Sequence, residues 1–340
     1  MITVATDGSG DFLSIQEAVD HIPEGQTKLT TIHIKSGVYK EKLYIDKPWI
    51  SLVGEGADTT IISYDDYAKK LFPSGEPYHT FHSYTAYIGG DHIEVKGITF
   101  ENTAGSGDIV GQALAAYVDG DCIVFRDCRF LGHQDTLFTG PLPPKPRDRG
   151  SFGGPREDAP RRSVRQYYER CYVEGDVDFI FGSATAVFQE CEIVSLGSGW
   201  ITAASTPEEV QFGYVFLRCK LTGDVPEQSV GLGRPWRNYA NVAFVDCWVG
   251  AHVKSAGWDR WNEQEPIEAV RYMEFGSVGP GAVTSGRAAW ATELNEQEAK
   301  KLTAEHVLAG ADGWDPTVRS GDLHVAAEKP SSAAEVKAEK

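Results

Sequence analysis

The chain has 340 residues, of which 41% are hydrophobic and 36 are glycine, and its formal net charge at pH 7 is -17. This acidic balance argues against nucleic acid as a partner, because phosphate binding requires a cationic face. No segment approaches the ~20 apolar residues that a membrane-spanning helix needs, so no membrane association is predicted.

The amino terminus predicts a short helix and no targeting segment. Residues 1–8 lack the basic start and apolar run of a secretory signal, so we expect a cytoplasmic protein if Met1 is native and a secreted one if a signal was removed. Ser14 and Glu17 form a capping box, and an apolar face follows until Pro23. Such a helix would seal the open end of a stack of strands. Short β-prone runs follow at residues 31–34, 37–41, 43–45 and 50–53.

A repeat marked by cysteine dominates the middle of the chain. Each copy has an aromatic residue three positions before the cysteine and an apolar residue two positions after it. The repeated residues are Cys128, Cys171, Cys191, Cys219 and Cys247, separated by 43, 20, 28 and 28 positions. Phe100 before Thr103 resembles an earlier copy without cysteine. Short β-prone runs at periods of ~20–50 residues indicate a solenoid, and little helical periodicity lies between them, so we predict an all-β parallel β-helix.

The repeated cysteines are expected to be buried structural residues. None has the close Cys spacing of a zinc site, and stacking at the ~4.8 Å strand spacing would make them an internal ladder of small apolar side chains. That spacing also falls inside the Cα range of a disulfide, but without a secretory signal we favour free thiols.

Two carboxylates share one position in this repeat. Asp135 lies seven residues after Cys128, and Asp178 lies seven residues after Cys171, so they should be neighbours on successive coils. Two carboxylates ~5 Å apart cannot both ionise freely, and one should keep its proton near neutral pH. An arginine that bound one of them would keep that one charged, and Arg234 is the candidate. The pair would then supply an acid and a nucleophile.

Five short motifs in this order resemble the signature set of the pectin methylesterases, a carbohydrate esterase family. The motifs are residues 37–41, 111–114, 132–137, 178–182 and 232–236, and the similarity extends from residues 7–12 to 257–258. The resemblance implies a single right-handed parallel β-helix with an N-terminal capping helix and long loops that form a substrate groove. We place this domain at residues 1–318, followed by a tail at 319–340 whose Ala, Glu, Lys and Ser content predicts disorder from about residue 327.

The resemblance also implies hydrolysis of the methyl esters of galacturonate in pectin or its oligomers, with release of methanol. Asp178 would be the nucleophile, Asp135 the general acid/base, and Arg234 the residue that orients Asp178. Gln112 and Gln134 match the amides that form the family's oxyanion hole. An internal ladder of amides is the alternative for these two glutamines.

The substrate contacts implied by the resemblance are mainly aromatic. Phe181 and Val177 flank the nucleophile, and the indoles of Trp236 and Trp258 offer flat apolar faces to a sugar. His133 occupies a position where the family usually carries an aromatic residue, most often Tyr. The alternative for the other four residues, Phe181, Val177, Trp236 and Trp258, is that they only pack the surface of the solenoid.

Residues 141–162 are predicted to be an insertion between the two aspartates. The region from 141 to 165 has seven cations against three acidic residues, and the cations are Lys145, Arg147, Arg149, Arg156, Arg161, Arg162 and Arg165. Its Pro, Gly and charge content is typical of a mobile surface loop. Its position favours a sharper hypothesis, in which it overhangs the groove and either attracts galacturonate carboxylates or shortens the groove to favour oligomers.

Two other function classes remain open at this stage. Retaining glycosidases place their carboxylates at the same ~5 Å separation, so a β-helix pectin hydrolase or lyase is an alternative, as is a non-catalytic pectin-binding protein. The two amides favour the esterase, because they suit a carbonyl oxyanion better than an oxocarbenium ion. We find no metal cluster or nucleotide loop, so no cofactor is predicted, and we expect a monomer whose partner is homogalacturonan or methylated oligogalacturonides.

Overall fold

The computed structural model describes residues 2–147 and 150–318, and the predicted C-terminal tail therefore lies outside the described residues. Within this range the chain runs repeatedly through three sheets. The first sheet contains β1 (Ile2–Val4), β2 (Thr30–Ile34), β5 (Ile50–Gly54), β8 (Ile93–Lys96), β11 (Ile123–Arg126), β14 (Arg165–Glu169), β17 (Thr185–Gln189), β20 (Tyr214–Leu217), β23 (Asn241–Val245), β25 (Arg271–Phe275) and β26 (Thr292–Glu293).

The other two sheets complete each circuit. The second sheet contains β3 (Gly37–Tyr39), β6 (Thr60–Tyr64), β9 (Thr99–Asn102), β12 (Arg129–Leu131), β15 (Tyr172–Gly175), β18 (Glu192–Ser195), β21 (Lys220–Gly223) and β24 (Trp248–Val249). The third sheet contains β4 (Leu43–Ile45), β7 (Ala86–Ile88), β10 (Ala116–Val118), β13 (Leu137–Thr139), β16 (Ile180–Gly182), β19 (Trp200–Ala204) and β22 (Gly231–Gly233). Equivalent strands of successive circuits pair in parallel, as β11 does with β14 and β13 does with β16. Parallel connections of this kind are almost always right-handed, and the predicted right-handed parallel β-helix is confirmed.

The described helices are short and pack against the strands of the β-helix. Helix α1 (Ile15–His21) has both hydrogen bonds of the predicted capping box, and its buried face joins the core next to β1 and β4. The remaining helical segments are α2 (Gly107–Val110), α3 (Glu296–Ala299), α4 (Ala304–Val307) and the 3-10 turns Thr80–His82 and Thr284–Gly286. Helices α3 and α4 add apolar residues to a cluster on the outer face of the first sheet. They bury side chains of β11, β14, β17, β20 and β23.

The repeat seen in the sequence is an internal ladder of aromatic rings. Phe125, Tyr168, Phe188, Phe216 and Phe244 occupy one register position in successive strands of the first sheet. Their rings stack with centroid separations of 5.1, 4.5, 4.7 and 4.4 Å. The recurrence of one aromatic position therefore fixes the register of the coils, because each ring stacks on the ring of the next coil.

The cysteine ladder lies beside the rings, and all six cysteines are buried and free. Each repeated cysteine follows a residue with a positive φ of 50–56°, which turns the chain from the first sheet into the second; these residues are Asp127, Arg170, Glu190, Arg218 and Asp246. The register also corrects one assignment. Phe100 pairs with Phe130, and Val95 pairs with Phe125, so the earlier copy of the repeat is centred on Ile98 and does not begin at Phe100.

Candidate active site

A pocket of about 240 Å³ opens on the outer face of the third sheet. Seven of its lining residues were predicted from the sequence: Gln112, Gln134, Asp135, Asp178, Phe181, Arg234 and Trp236. Eight others were not assigned to the site: Thr80, Phe81, Pro146, Arg147, Ser151, Phe152, Ala203 and Trp261. The pocket therefore combines residues of several consecutive coils with residues of the insertion.

The backbone register places the two aspartates on neighbouring coils. Asp135 precedes β13 by two residues, Asp178 precedes β16 by two residues, and Leu137 pairs with Ile180. The amide of Asp135 also donates to the carbonyl of Val177 at 3.0 Å. Both aspartates have φ in the left-handed region, 63° and 50°, which Asp tolerates better than most residues. The two aspartates have equal offsets from their cysteines because the same turn recurs in both coils.

Arg234 holds Asp178 by both carboxylate oxygens. It directly follows β22, and its Nε and Nη2 donate to Oδ1 and Oδ2 of Asp178 at 3.0 and 2.7 Å. The guanidinium is also stacked between two indoles, 3.7 Å from the ring centroid of Trp200 and 4.2 Å from that of Trp261. The bonds to Asp178 fix the edge of the guanidinium and the indoles cover both faces, so the orientation of Asp178 is fixed as well.

The two carboxyl groups have different electrostatic environments. Burial raises the pKa of Asp178, and the hydrogen bonds from Arg234 oppose this change. Burial and the neighbouring Asp178 together raise the pKa of Asp135 well above its usual range. Within residues 2–147 and 150–318, the Asp135 carboxyl has no hydrogen-bond partner, whereas Asp178 is only 5% exposed and fully paired. Asp178 is therefore the group that ionises first, and Asp135 keeps its proton to higher pH.

The amides of Gln112 and Gln134 line the same pocket. In the described part of the chain neither side-chain amide is hydrogen-bonded to another protein group, and no amide ladder joins them. Helix α2 passes so close to Gln134 that a Cβ at Gly107 would lie 2.7 Å from Cβ of Gln134, and this contact limits where the side chain of Gln134 can lie. Both amides remain available to a ligand in the pocket.

Two of the predicted substrate-binding aromatics lie in the pocket and a third does not. Phe181 and Trp236 form an edge-to-face pair with centroids 5.7 Å apart. Trp258 is only 2% exposed, packs on Tyr272 and donates from Nε1 to Glu274 at 3.0 Å. The prediction that Trp258 binds sugar is therefore wrong, because this indole belongs to the core of the β-helix.

His133 and Val177 are half-buried next to the pocket, outside its lining. The Nδ1 atom of His133 lies 3.2 Å from Oδ2 of Asp176, and this hydrogen bond raises the pKa of the imidazole. The charge of Asp176 also contributes to the raised pKa of Asp135. His133 thus belongs to a His–Asp pair beside the two central carboxylates, and its partner Asp176 was not predicted from the sequence.

The insertion is packed against the pocket. Its Phe152 ring contacts Phe81 and Trp236, with centroids 5.5 and 6.4 Å away. The Nε atom of Arg156 reaches the buried Asp119 at 2.7 Å, and His82 Nε2 accepts from the amide of Gly154 at 2.9 Å. These contacts place one side of the insertion along the pocket, as the overhang hypothesis expected.

The described arginines of the insertion are engaged by other groups of the protein. Arg162 pairs with Asp91, and Arg161 donates to the carbonyls of Arg156, Glu157 and Ala159. Arg147 pairs with Glu265. Arg149, which also belongs to the predicted basic group, lies outside the described residues. Because these arginines already have partners, the insertion is better suited to form a wall along the groove than to attract substrate carboxylates as a free cationic surface.

Two findings concern membrane spans and metal sites, and both apply to the described ranges only. No helix there is long and apolar enough to cross a membrane. One group with three potential metal ligands is present, formed by Asp121, Cys122 and Asp312. The guanidinium of Arg165 hydrogen-bonds to all three of these side chains, at 2.7, 3.0 and 2.6 Å, and so fills the place that an ion would take.

Comparisons with known proteins agree with this geometry. The family model described as Pectinesterase matches residues 1–141 and 155–311, so residues 142–154 fall outside it. Pectinesterase 31 from Arabidopsis thaliana is 33% identical over 311 residues, which cover 88% of this chain and 89% of that protein.

Solved structures of pectin methylesterases are similar to this chain over most of its length. A pectin methylesterase from carrot superposes with a TM-score of 0.77, at 29% identity and 97% coverage of each chain. A pectin methylesterase in complex with a hexasaccharide superposes with a TM-score of 0.76, at 26% identity, covering 94% of this chain and 98% of that one. With the family model matching most of the chain, the protein belongs to the pectinesterase family.

Proposed function

We propose that this protein hydrolyses the methyl esters of galacturonate residues in pectin or pectin oligosaccharides and releases methanol. The observation that carries the proposal is the unequal pair of carboxylates. Asp178 is held by both oxygens on Arg234, and the neighbouring Asp135 is buried without a hydrogen-bond partner among the described residues. Such a pair supplies an ionised nucleophile beside a protonated acid.

In the proposed first step, a carboxylate oxygen of Asp178 attacks the ester carbonyl carbon. The carbonyl oxygen gains negative charge, and the amides of Gln112 and Gln134 donate hydrogen bonds to it. The tetrahedral intermediate collapses with cleavage of the bond to the methoxy oxygen, which takes the proton of Asp135 and leaves as methanol. This step produces an acyl-enzyme anhydride on Asp178 and an ionised Asp135.

The second step regenerates the protein. Ionised Asp135 accepts a proton from water, and the resulting hydroxide equivalent attacks the acyl carbon of the anhydride. The bond between that carbon and the Asp178 oxygen breaks, so galacturonate is released with a free carboxyl group. Asp178 returns to the carboxylate bound by Arg234, and Asp135 again holds its proton.

The paired carboxylates alone would also suit a retaining glycosidase. The free amides of Gln112 and Gln134 favour the esterase, since they line the pocket that holds Asp178 and a carbonyl oxyanion formed there needs hydrogen-bond donors. We expect methanol release from methylated pectin without the appearance of new reducing ends. New reducing ends or unsaturated products without methanol would exclude the esterase, and binding without either product would support a pectin-binding protein. The monomeric state stays a prediction.

The mechanism predicts a bell-shaped dependence of kcat/KM on pH. Activity should rise as Asp178 loses its proton and fall as Asp135 loses its own at higher pH, because the pKa of Asp135 is raised more. The two limbs belong to the coupled pair. In Asp135→Asn the alkaline limb should disappear along with most of the activity. A residual activity of this variant that still fell at high pH would contradict the assignment of Asp135.

A further inference from the structure

Arg234 is the centre of an alternating stack of cations and indoles. On its inner face lies Trp200, 3.7 Å from the guanidinium, and Nζ of Lys254 lies 5.3 Å from the centroid of the same ring. On its outer face lies Trp261 at 4.2 Å, and the guanidinium of Arg147 lies 4.9 Å from the centroid of that ring. Arg147 thus contacts the same indole as the arginine that holds Asp178.

The two indoles are fixed in different ways. Trp200 belongs to β19, and its Nε1 donates to Asp259 at 2.7 Å. Trp261 lies in the connection between β24 and β25, and its indole nitrogen has no hydrogen-bond partner in the described parts of the chain. The inner indole therefore has its own anchor, whereas the outer indole depends on the groups that cover its faces.

Arg147 is well placed to hold the outer indole. It forms an ion pair with Glu265, and its Nη1 donates to the carbonyl of Trp236 at 2.6 Å. The side chains of Arg147 and Glu265 are only 19% and 24% exposed, so their pairing is partly protected from water. A guanidinium anchored at its edge presents a flat cationic face to an indole.

Arg147 lies in the segment that the family model leaves unmatched, residues 142–154. The adjoining pocket wall, where Phe152 packs on Phe81 and Trp236, comes from the same segment. The contact between Arg147 and Trp261 is therefore a feature of this chain added to the β-helix, and its consequence must be argued from this structure.

We propose that Arg147 is a positioning residue for the ester hydrolysis. It holds Trp261 against the outer face of Arg234, and this contact keeps the guanidinium of Arg234 aligned with the carboxylate of Asp178. This proposal rests on the proposed function, because it assumes that the orientation of Asp178 limits the chemical step. Arg147 acts through Trp261. Its removal should lower kcat more than it raises KM, since it changes the alignment of the nucleophile.

The first test compares Arg147→Ala with a matched control in the same segment. We expect kcat for methanol release from methylated oligogalacturonides to fall about tenfold, the size of one partly desolvated cation–π contact, with KM changed less than about twofold. Arg147→Lys keeps a cation for Glu265 and for the Trp261 face, and should lose less than about threefold. Arg162→Ala removes an arginine whose partner is the exposed Asp91, and should leave both constants unchanged.

A double-mutant cycle separates positioning from direct contact with substrate. In a Trp261→Ala background, loss of Arg147 should have no further effect on kcat, because its route to Arg234 has already been removed. Independent, additive losses of kcat would overturn the proposal. A rise in KM with kcat unchanged would overturn it as well, since that result would make Arg147 a substrate-binding residue.

Two further measurements separate loss of the positioning role from misfolding and from failure of the proposed function. If Arg147→Ala does not fold, Glu265→Gln removes the ion pair of Arg147, leaves its bond to the carbonyl of Trp236, and should lower kcat in the same direction. Unchanged kcat in that variant would count against the proposal. Wild-type protein that released no methanol would refute the proposed function itself, whereas wild-type activity with normal Arg147→Ala kinetics would refute only the positioning role.

Discussion

Asp178→Ala is expected to lower kcat for methanol release by at least about 10⁴-fold, because it removes the group that forms the acyl-enzyme anhydride. Arg234, Gln112, Gln134 and Asp135 would remain, but they can only polarise the ester and protonate its leaving group. Methanol release from methylated oligogalacturonides would be measured under saturating conditions, together with binding of the same oligomers. Binding should survive, because the aromatic wall of the pocket is unaffected.

The isosteric change Asp178→Asn should be nearly as inactive, since a neutral amide keeps the shape of the side chain without its nucleophilicity. Asp127→Ala is a matched control. Asp127 also has a positive φ in a coil turn, and it pairs with Arg170 far from the pocket lining. Full esterase activity in Asp178→Ala would exclude this residue as the nucleophile, whatever the outcome for Asp135.

Arg156→Ala should cause the largest loss of stability, about 3–5 kcal/mol in the free energy of unfolding, because it leaves a buried carboxylate without its cation. The partner, Asp119, is only 2% exposed and is contacted by Arg156 at 2.7 Å through Oδ2. Its other oxygen, Oδ1, already lacks a hydrogen-bond partner in the described structure. Chemical denaturation at neutral pH would measure the loss.

The pH dependence of this variant has a definite sign. Burial raises the pKa of Asp119, and Arg156 is the main group that opposes this effect. Without Arg156 the folded-state pKa rises further above the unfolded value. The penalty should therefore be full above the folded-state pKa of the variant and should shrink as pH falls through that pKa.

Two variants control for this result. Asp119→Asn combined with Arg156→Ala should recover part of the loss, whereas Arg162→Ala should cost less than about 1 kcal/mol because its ion pair is exposed. Equal losses for Arg156→Ala and Arg162→Ala would show that the buried pair is not the anchor of the insertion.

The sequence was most informative where a position repeats along the solenoid. The aromatic residues at one register position stack directly on each other, so counting from the cysteines was enough to place Asp135 next to Asp178. Register in a parallel β-helix is set locally by backbone pairing, and a sequence offset therefore becomes a spatial relation. The earlier copy at Ile98 was misplaced because Phe100 stands at the position of Phe130.

Residues outside the repeated positions were harder to place from the sequence. Trp200 and Trp261 sandwich Arg234, yet neither lies at a repeated offset from the cysteines. Trp258 and Trp261 are only three residues apart, and one is in the core while the other lines the pocket. A motif match could not separate them, because their burial depends on how one irregular connection packs against the coils.

The composition of the insertion was misleading in a similar way. Its many arginines suggested a free cationic surface, but the described ones donate to carboxylates and carbonyls nearby. Net charge counts side chains without regard to their partners, and those partners, such as Asp91 and Asp119, lie on earlier coils. The apolar contribution of Phe152 was hidden in the same segment.

The separation of the two reactive carboxylates is a property of hydrogen-bonded strands and owes nothing to the length of chain between them. Residues 141–162 leave and rejoin the solenoid between β13 and β14, and the pairing of β13 with β16 continues beside them. A segment at this point can be changed in length or sequence without changing the spacing of the two aspartates, provided that contacts such as those of Arg147 with Trp261 and of Arg156 with Asp119 are kept. It is therefore a natural place for substrate range to diverge, or to be engineered, while the two aspartates stay on their neighbouring coils.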